Sequence, residues 1–219
     1  MRRRGARARP APLFITFEGI EGSGKSTHLR HLAEHLRASG RRVLETREPG
    51  GTPAGAAIRR LLLGPEAAPL TPLAELFLYC ADRTQHVGEV IRPALDAGQI
   101  VLCDRFSDST LAYQGYARGL DLEAVRALDA RARGGVWPDV TFLLDCPVAD
   151  GLARARGRAG PGDRFEREAL AFHERVRQGL LTFAAAEPGR FSVLDAAEPL
   201  ERVRARVVAE TERRLGGGA

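Results

Sequence analysis

The sequence predicts an α/β fold, in which a five-stranded parallel sheet carries helices on both faces as a three-layer α/β/α sandwich. Three observations predict it. Five short apolar runs alternate with segments of helical period, the pattern of repeated βαβ units. Each run ends in polar or charged residues, placing a functional edge at the carboxyl ends of the strands, where such sheets bind ligands. A chain of 219 residues is also long enough to bury both faces of one such sheet as a single domain.

The elements follow in order. Leu13 to Phe17 reads as the first strand and ends at Glu18. Leu29, Leu32, Ala33 and Leu36 then recur at i, i+3, i+4 and i+7, one face of a helix that Gly40 ends. Val43 to Thr46 is the second strand, followed by Arg47 and Glu48. Helices are predicted at Thr52 to Leu63 and at Pro72 to Ala97, the second breaking near His86 to Gly88. Ile100 to Cys103 gives the third strand, ending at Asp104 and Arg105, and Leu122 to Arg133 the next helix. Val140 to Leu144, ending at Asp145, is the fourth strand. Helices at Val148 to Arg158 and Arg164 to Ala186 lead to the fifth strand, Phe191 to Leu194 with Asp195, and Leu200 to Leu215 closes the fold. The domain is expected over 13–215.

Composition narrows the function. The net charge of +5 is matched by Arg2, Arg3, Arg4, Arg7 and Arg9, which precede residue 13 without an acid; the body is therefore neutral. Residues 1–12 are expected to be a disordered basic tail. A neutral body argues against nucleic acid as a partner. No apolar run approaches the ~18 residues of a membrane span, so no membrane partner is expected. Cys80, Cys103 and Cys146 form no CxxC pair and lie in apolar stretches, as core thiols of a cytoplasmic protein would.

The chemistry concentrates in "GIEGSGKST", Gly19 to Thr27. Gly19, Gly22, Gly24, Lys25 and Ser26 fit G-x-x-x-x-G-K-[ST], the phosphate-binding loop, between a strand and a helix as that motif requires. Backbone N–H groups of Ile20, Glu21, Ser23 and Thr27 join the glycines in wrapping an anion at a helix N-terminus. Lys25 is the only lysine among 33 basic side chains. A compact ammonium on a thin stem fits where a planar guanidinium does not, and Lys25 would reach the β and γ phosphates while Ser26 holds Mg²⁺. Asp104, at the end of the third strand, can hold a Mg²⁺-bound water. Arg105 beside it suits an anionic acceptor. In "TREPGGTP" the cation of Arg47, the Gly50–Gly51 turn and a helix start at Thr52 converge, which favours a phosphate on that acceptor. The chain contains no asparagine, which excludes the NKxD guanine-reading signature of GTPases.

Together "FEGIEGSGKST", "TREPGGTP", "DRFSDSTLAYQG" and "ARARGRAGPGDRFE" resemble bacterial thymidylate kinase, a phosphate-loop nucleoside monophosphate kinase, from Leu13 onward. The resemblance implies transfer of the γ phosphate of ATP to dTMP with Mg²⁺, and ATP and dTMP as the small-molecule partners. It implies that Arg47 and Arg105 grip the acceptor phosphate and that Glu21 accepts from the sugar 3′ hydroxyl. Tyr79 would stack on thymine, where the family commonly has phenylalanine, and Arg83 would contact the base. Ser109, Tyr113 and Gln114 would line the deoxyribose and base. Some members place a catalytic arginine in the phosphate loop, but here that position is Gly22. The charge is therefore expected from an arginine-rich lid over about 151–166, with Arg158 as the finger and Arg154, Arg156 and Arg164 in support on the ATP side. Homodimerisation is expected from the family, through the helix from Pro72 to Ala97. A kinase for a different nucleoside monophosphate remains an alternative, as does a nucleotide-dependent switch or DNA-partitioning ATPase, against which the neutral body counts.

Overall fold

A computed structural model of the chain describes residues 12–64, 68–157 and 164–216. The expected tail, except Pro12, and the centre of the expected lid with Arg158 lie outside the described residues. Five parallel strands form one sheet in the order β2-β3-β1-β4-β5. They are β1 (Leu13–Glu18), β2 (Val43–Arg47), β3 (Ile100–Asp104), β4 (Val140–Asp145) and β5 (Phe191–Asp195). Each runs one residue past its apolar run, so the terminal residue of every strand is charged.

The helices cover both faces. α1 (Lys25–Ala38) and α9 (Leu200–Gly216) lie on one, where Leu29, Leu32 and Leu36 meet Ile15 and Phe17 of β1 and Val203 and Val207 of α9. Alternation along β1 sends Phe14 to the opposite face, against Val101, Cys103 and Phe106. α2 (Pro53–Leu63) and α3 (Pro72–His86) start alike, on Thr52 and Thr71 hydroxyls that accept the backbone N–H three residues on. α4 (Arg92–Asp96) continues α3 through the π-helical stretch Val87–Ile91. The expected break near Gly88 is thus a widening of the helix without interruption. Then come α5 (Ser107–Thr110), extended by the π-helical Leu111–Ala117, α6 (Leu122–Arg133) and α7 (Val148–Arg156).

The single helix expected from Arg164 to Ala186 is corrected. A 3₁₀ turn at Phe165–Arg167 is followed by extended Glu168 and Ala169, and α8 begins only at Leu170 (Leu170–Ala186). The break turns Phe165 inward, where it stacks on Phe172 at 5.9 Å and meets the edge of Tyr113 at 5.2 Å. Aromatic burial outweighs helical continuity there.

Candidate active site

A cleft of about 620 Å³ opens along the carboxyl edge of the sheet, above β1 and β3. It gathers most of the predicted residues: Glu21 to Thr27, Arg47, Tyr79, Arg83, Asp104, Arg105, Ser109, Tyr113, Gln114 and Arg154. Gly19 and Ile20 enter through their carbonyls instead. Lys25 Nζ donates to Gly19 O at 3.0 Å, to Ile20 O at 2.7 Å and to Ser23 Oγ at 3.3 Å. Burial and the Arg105 charge push the ammonium down to about 8, against the pull of Asp104, Glu21 and Glu18.

Arg105 follows β3 with φ 69°, a left-handed backbone unusual for a branched cation and of the strained kind that clusters at functional sites. That turn brings its guanidinium back over the loop, 3.0 Å from Glu21 Oε1, 3.0 Å from Ser109 Oγ and 5.0 Å above the Tyr113 ring. The Tyr113 hydroxyl donates to the same Glu21 oxygen at 2.5 Å, and His173 Nδ1 lies 3.1 Å from Glu21 Oε2. Burial alone would raise the Glu21 carboxyl; the Arg105 charge, His173, Lys25 and Tyr113 together hold it well below the usual carboxylate range. Glu21 is thus an ionised carboxylate beside the loop, fixed by three elements.

Glu18, which sequence reasoning left as a strand end, underlies this cluster. It accepts from Phe106 N at 2.8 Å and from Ser109 Oγ at 2.6 Å, tying β1 to the start of α5. Burial and the Asp108 charge push its carboxyl up to about 7, against Arg105, Ser109 and Phe106. A carboxyl with a raised folded pKa stabilises the fold fully below its ordinary value near 4.5 and loses that stabilisation as pH rises through about 7. Wild-type protein should therefore lose stability between about pH 4.5 and 7, and Glu18→Gln, neutral throughout, should lose less. Urea midpoints across that range check this, and parallel profiles for the two proteins would count against it.

Ser26 Oγ donates to Asp104 Oδ2 at 2.5 Å on the cleft wall. The described residues contain no cluster of three or more His, Cys, Asp or Glu able to hold a metal. A hydroxyl and one carboxylate are a poor cage for a structural ion. They fit Mg²⁺, which takes one or two protein oxygens and completes its shell with water and phosphate.

The end of the cleft beside the second strand is built on buried ion pairs. Arg83, 1% exposed, donates to Glu48 Oε2 (2.9 Å), Asp129 Oδ1 (2.6 Å) and Thr110 Oγ1 (3.0 Å), and lies 5.0 Å above the Phe106 ring. Most of its donors are thus committed within the protein, although it reaches the cleft. His86 bridges Glu48 and Thr46, and a Cβ on Gly51 would stand 2.3 Å from its Nε2. Glycine at 51 is what lets the "EPGG" turn settle onto α3. Arg47 stays exposed at the rim.

The lid arginines separate. Arg154 lines the cleft and donates to Ala196 O at 3.1 Å. Arg156 is exposed and does not line it. Arg164 does not line it either: it is paired with buried Glu75 of α3. α7 meets the loop directly, since a Cβ on Gly22, itself at φ 73°, would lie 1.8 Å from Gly151 O. The wall beyond Lys25 comprises His28, Ala196, Ala197, Glu198, Leu200 and Val203, none anticipated from sequence. The one available signal was the polar end of the fifth strand, which marks the segment after Asp195 as part of the same edge.

Comparison with known proteins agrees with this geometry. A family model described as thymidylate kinase matches residues 17–207. The thymidylate kinase of Desulfovibrio desulfuricans is 56% identical over 197 residues, 87% of this chain and 91% of the relative. That of Syntrophotalea carbinolica is 55% identical over 207 residues, 92% of this chain and 96% of the relative. The crystal structure of thymidylate kinase from Ehrlichia chaffeensis superposes with a TM-score of 0.75 at 36% identity, over 92% of this chain and 99% of that one. Motif, sheet order, cleft and matched length converge, and the chain belongs to the thymidylate kinase family.

Proposed function

We propose that this protein phosphorylates dTMP to dTDP, with ATP as donor and Mg²⁺ as the metal. The observation that carries the reading is the single cleft shared by Lys25 of the phosphate loop and Arg105 of the strained turn after β3. Two phosphate chains laid end to end along it would meet between these cations. Phosphoryl transfer needs little covalent help, so positioning and charge neutralisation supply most of the rate. The donor base lies toward His28 and Leu200, and the acceptor toward Tyr79, Tyr113 and Gln114. Arg47 at the rim and Arg105 beneath take the acceptor phosphate; Ser26, and Asp104 through a water, would hold the metal, which would supply charge neutralisation for the transferring oxygens. Tyr79 supplies a stacking face, and Glu21, ionised and fixed, is an acceptor for a sugar hydroxyl. Arg158, outside the described residues, is the proposed arginine finger that neutralises the transferring group, with Arg154 at the cleft wall in support.

A coupled assay with ATP and a panel of monophosphates tests the reading. dTMP should turn over fastest; faster turnover of UMP or CMP would transfer the assignment to another monophosphate kinase. No helix among the described residues is long and apolar enough to cross a membrane, and a cytoplasmic location follows from the proposed reaction.

The proposal extends to a homodimer through α2 and α3. These helices pack together, yet Leu61, Leu73 and Phe77 remain 58%, 48% and 51% exposed, with Leu73 and Phe77 at i and i+4 on one face. Phe77→Asp should shift sedimentation to a monomer while leaving the fold intact; an unchanged dimer would place the interface elsewhere.

A further inference from the structure

Gln114 lines the acceptor end of the cleft from the π-helical stretch after α5 and is 1% exposed. Its amide nitrogen donates to Glu75 Oε1 at 2.7 Å, whereas its amide oxygen is buried with no hydrogen-bond partner among the described residues. A glutamine amide offers a donor or an acceptor depending on which way it is turned, so its neighbour decides what it presents. Here the neighbour is a wholly buried carboxylate. Glu75 also receives Arg118 Nε and Nη2, both at 3.3 Å, and Arg164 Nη2. Held by two guanidinium groups, it acts as acceptor only, and turning the Gln114 oxygen toward it would set oxygen against oxygen. The amide is therefore locked with its oxygen uncommitted.

We infer that Glu75 is a positioning residue that sets base specificity: by fixing the Gln114 amide, it presents a lone acceptor oxygen to the N–H of an imide base. The inference rests on the dTMP reading above and adds the residue that selects among pyrimidines. Thymine and uracil carry a hydrogen on the ring nitrogen between their two carbonyls. Cytosine carries a lone pair there, which would face the lone pair of Gln114. A buried acceptor left unpaired disfavours the wrong ligand strongly, because neither group can recover water. The 5-methyl group of thymine plays no part in this contact. Discrimination of dTMP from dUMP must then come from elsewhere in the pocket.

The test compares kcat/KM for dTMP, dUMP and dCMP in wild type, Gln114→Met, Glu75→Gln and the milder Glu75→Asp, which keeps the charge of the ion pairs. The expected result is a dTMP:dCMP ratio about 10- to 100-fold lower in Gln114→Met and Glu75→Gln, the range an unpaired buried polar group produces. The dTMP:dUMP ratio should stay constant, which a general loosening of the pocket would not allow. Combining Gln114→Met with either Glu75 substitution should lower the dTMP:dCMP ratio no further. An unchanged dTMP:dCMP ratio in Gln114→Met overturns the inference, as does folded Glu75→Gln with wild-type selectivity. Should the Glu75 variants not fold, a structure of the wild-type enzyme with dTMP decides: the Gln114 nitrogen on Glu75 upholds the inference, and the nitrogen turned to the base overturns it. Wild-type protein that phosphorylates none of the three would instead sink the kinase reading itself.

Discussion

Lys25→Ala is expected to lower kcat for dTDP formation about 10³-fold, a loss of ~4 kcal/mol of transition-state stabilisation, with little change in fold. The ammonium is buried in the cleft, 7% exposed, and is directed by three acceptors of its own loop. Phosphate oxygens arriving above the loop would find it already placed, so its charge acts with little reorganisation. Lys25→Arg should fail almost as badly. Carbonyls of Gly19 and Ile20 close around a small group at 3.0 and 2.7 Å, and a planar fork has no room to reach both and still point at a phosphate. That is the physical reason a chain with 32 arginines among its 33 basic residues keeps one lysine. Single-turnover measurements with saturating ATP and dTMP check the expectation, and either variant retaining a tenth of wild-type kcat would dismantle the assignment.

Arg83→Leu should destabilise the protein by about 3–5 kcal/mol, the range for breaking a buried ion pair by removing one partner. Glu48 and Asp129 are 2% and 3% exposed at the side chain and would lose that buried counter-ion. Glu48 begins the "EPGG" turn, so the acceptor wall should loosen as well. Urea unfolding, with its slope compared to wild type, measures the loss; a change below about 1 kcal/mol would mean that water or His86 replaces the guanidinium.

Much of this was legible in the sequence because its signals are local. Short apolar runs such as Leu13 to Phe17, alternating with segments of helical period, read as strands of a parallel sheet, and all five were placed to within one residue. The glycine spacing from Gly19 to Gly24 fixes the phosphate loop almost by itself. What escaped was set by contacts far apart in the chain. The helix from Ser107 to Ala117 carries Ser, Asp and Gly, weak helix formers, and is buried on nearly every side, so no apolar stripe announces it. Its stability comes from Glu18 capping Phe106 and Ser109 across the sheet. Arg164 read as part of a basic lid because its partner Glu75 is 89 residues away in sequence. Likewise nothing near Arg83 shows that three partners claim its guanidinium.

The meeting of Gly22 and Gly151 limits how this enzyme could be redesigned. With the first turn of α7 pressed against the backbone at position 22, any side chain grafted there would collide with a carbonyl oxygen before it reached a nucleotide. A loop-borne guanidinium and this seated helix are therefore rival solutions competing for one volume. Installing the guanidinium here would demand that the helix be relocated, not merely that a codon be changed.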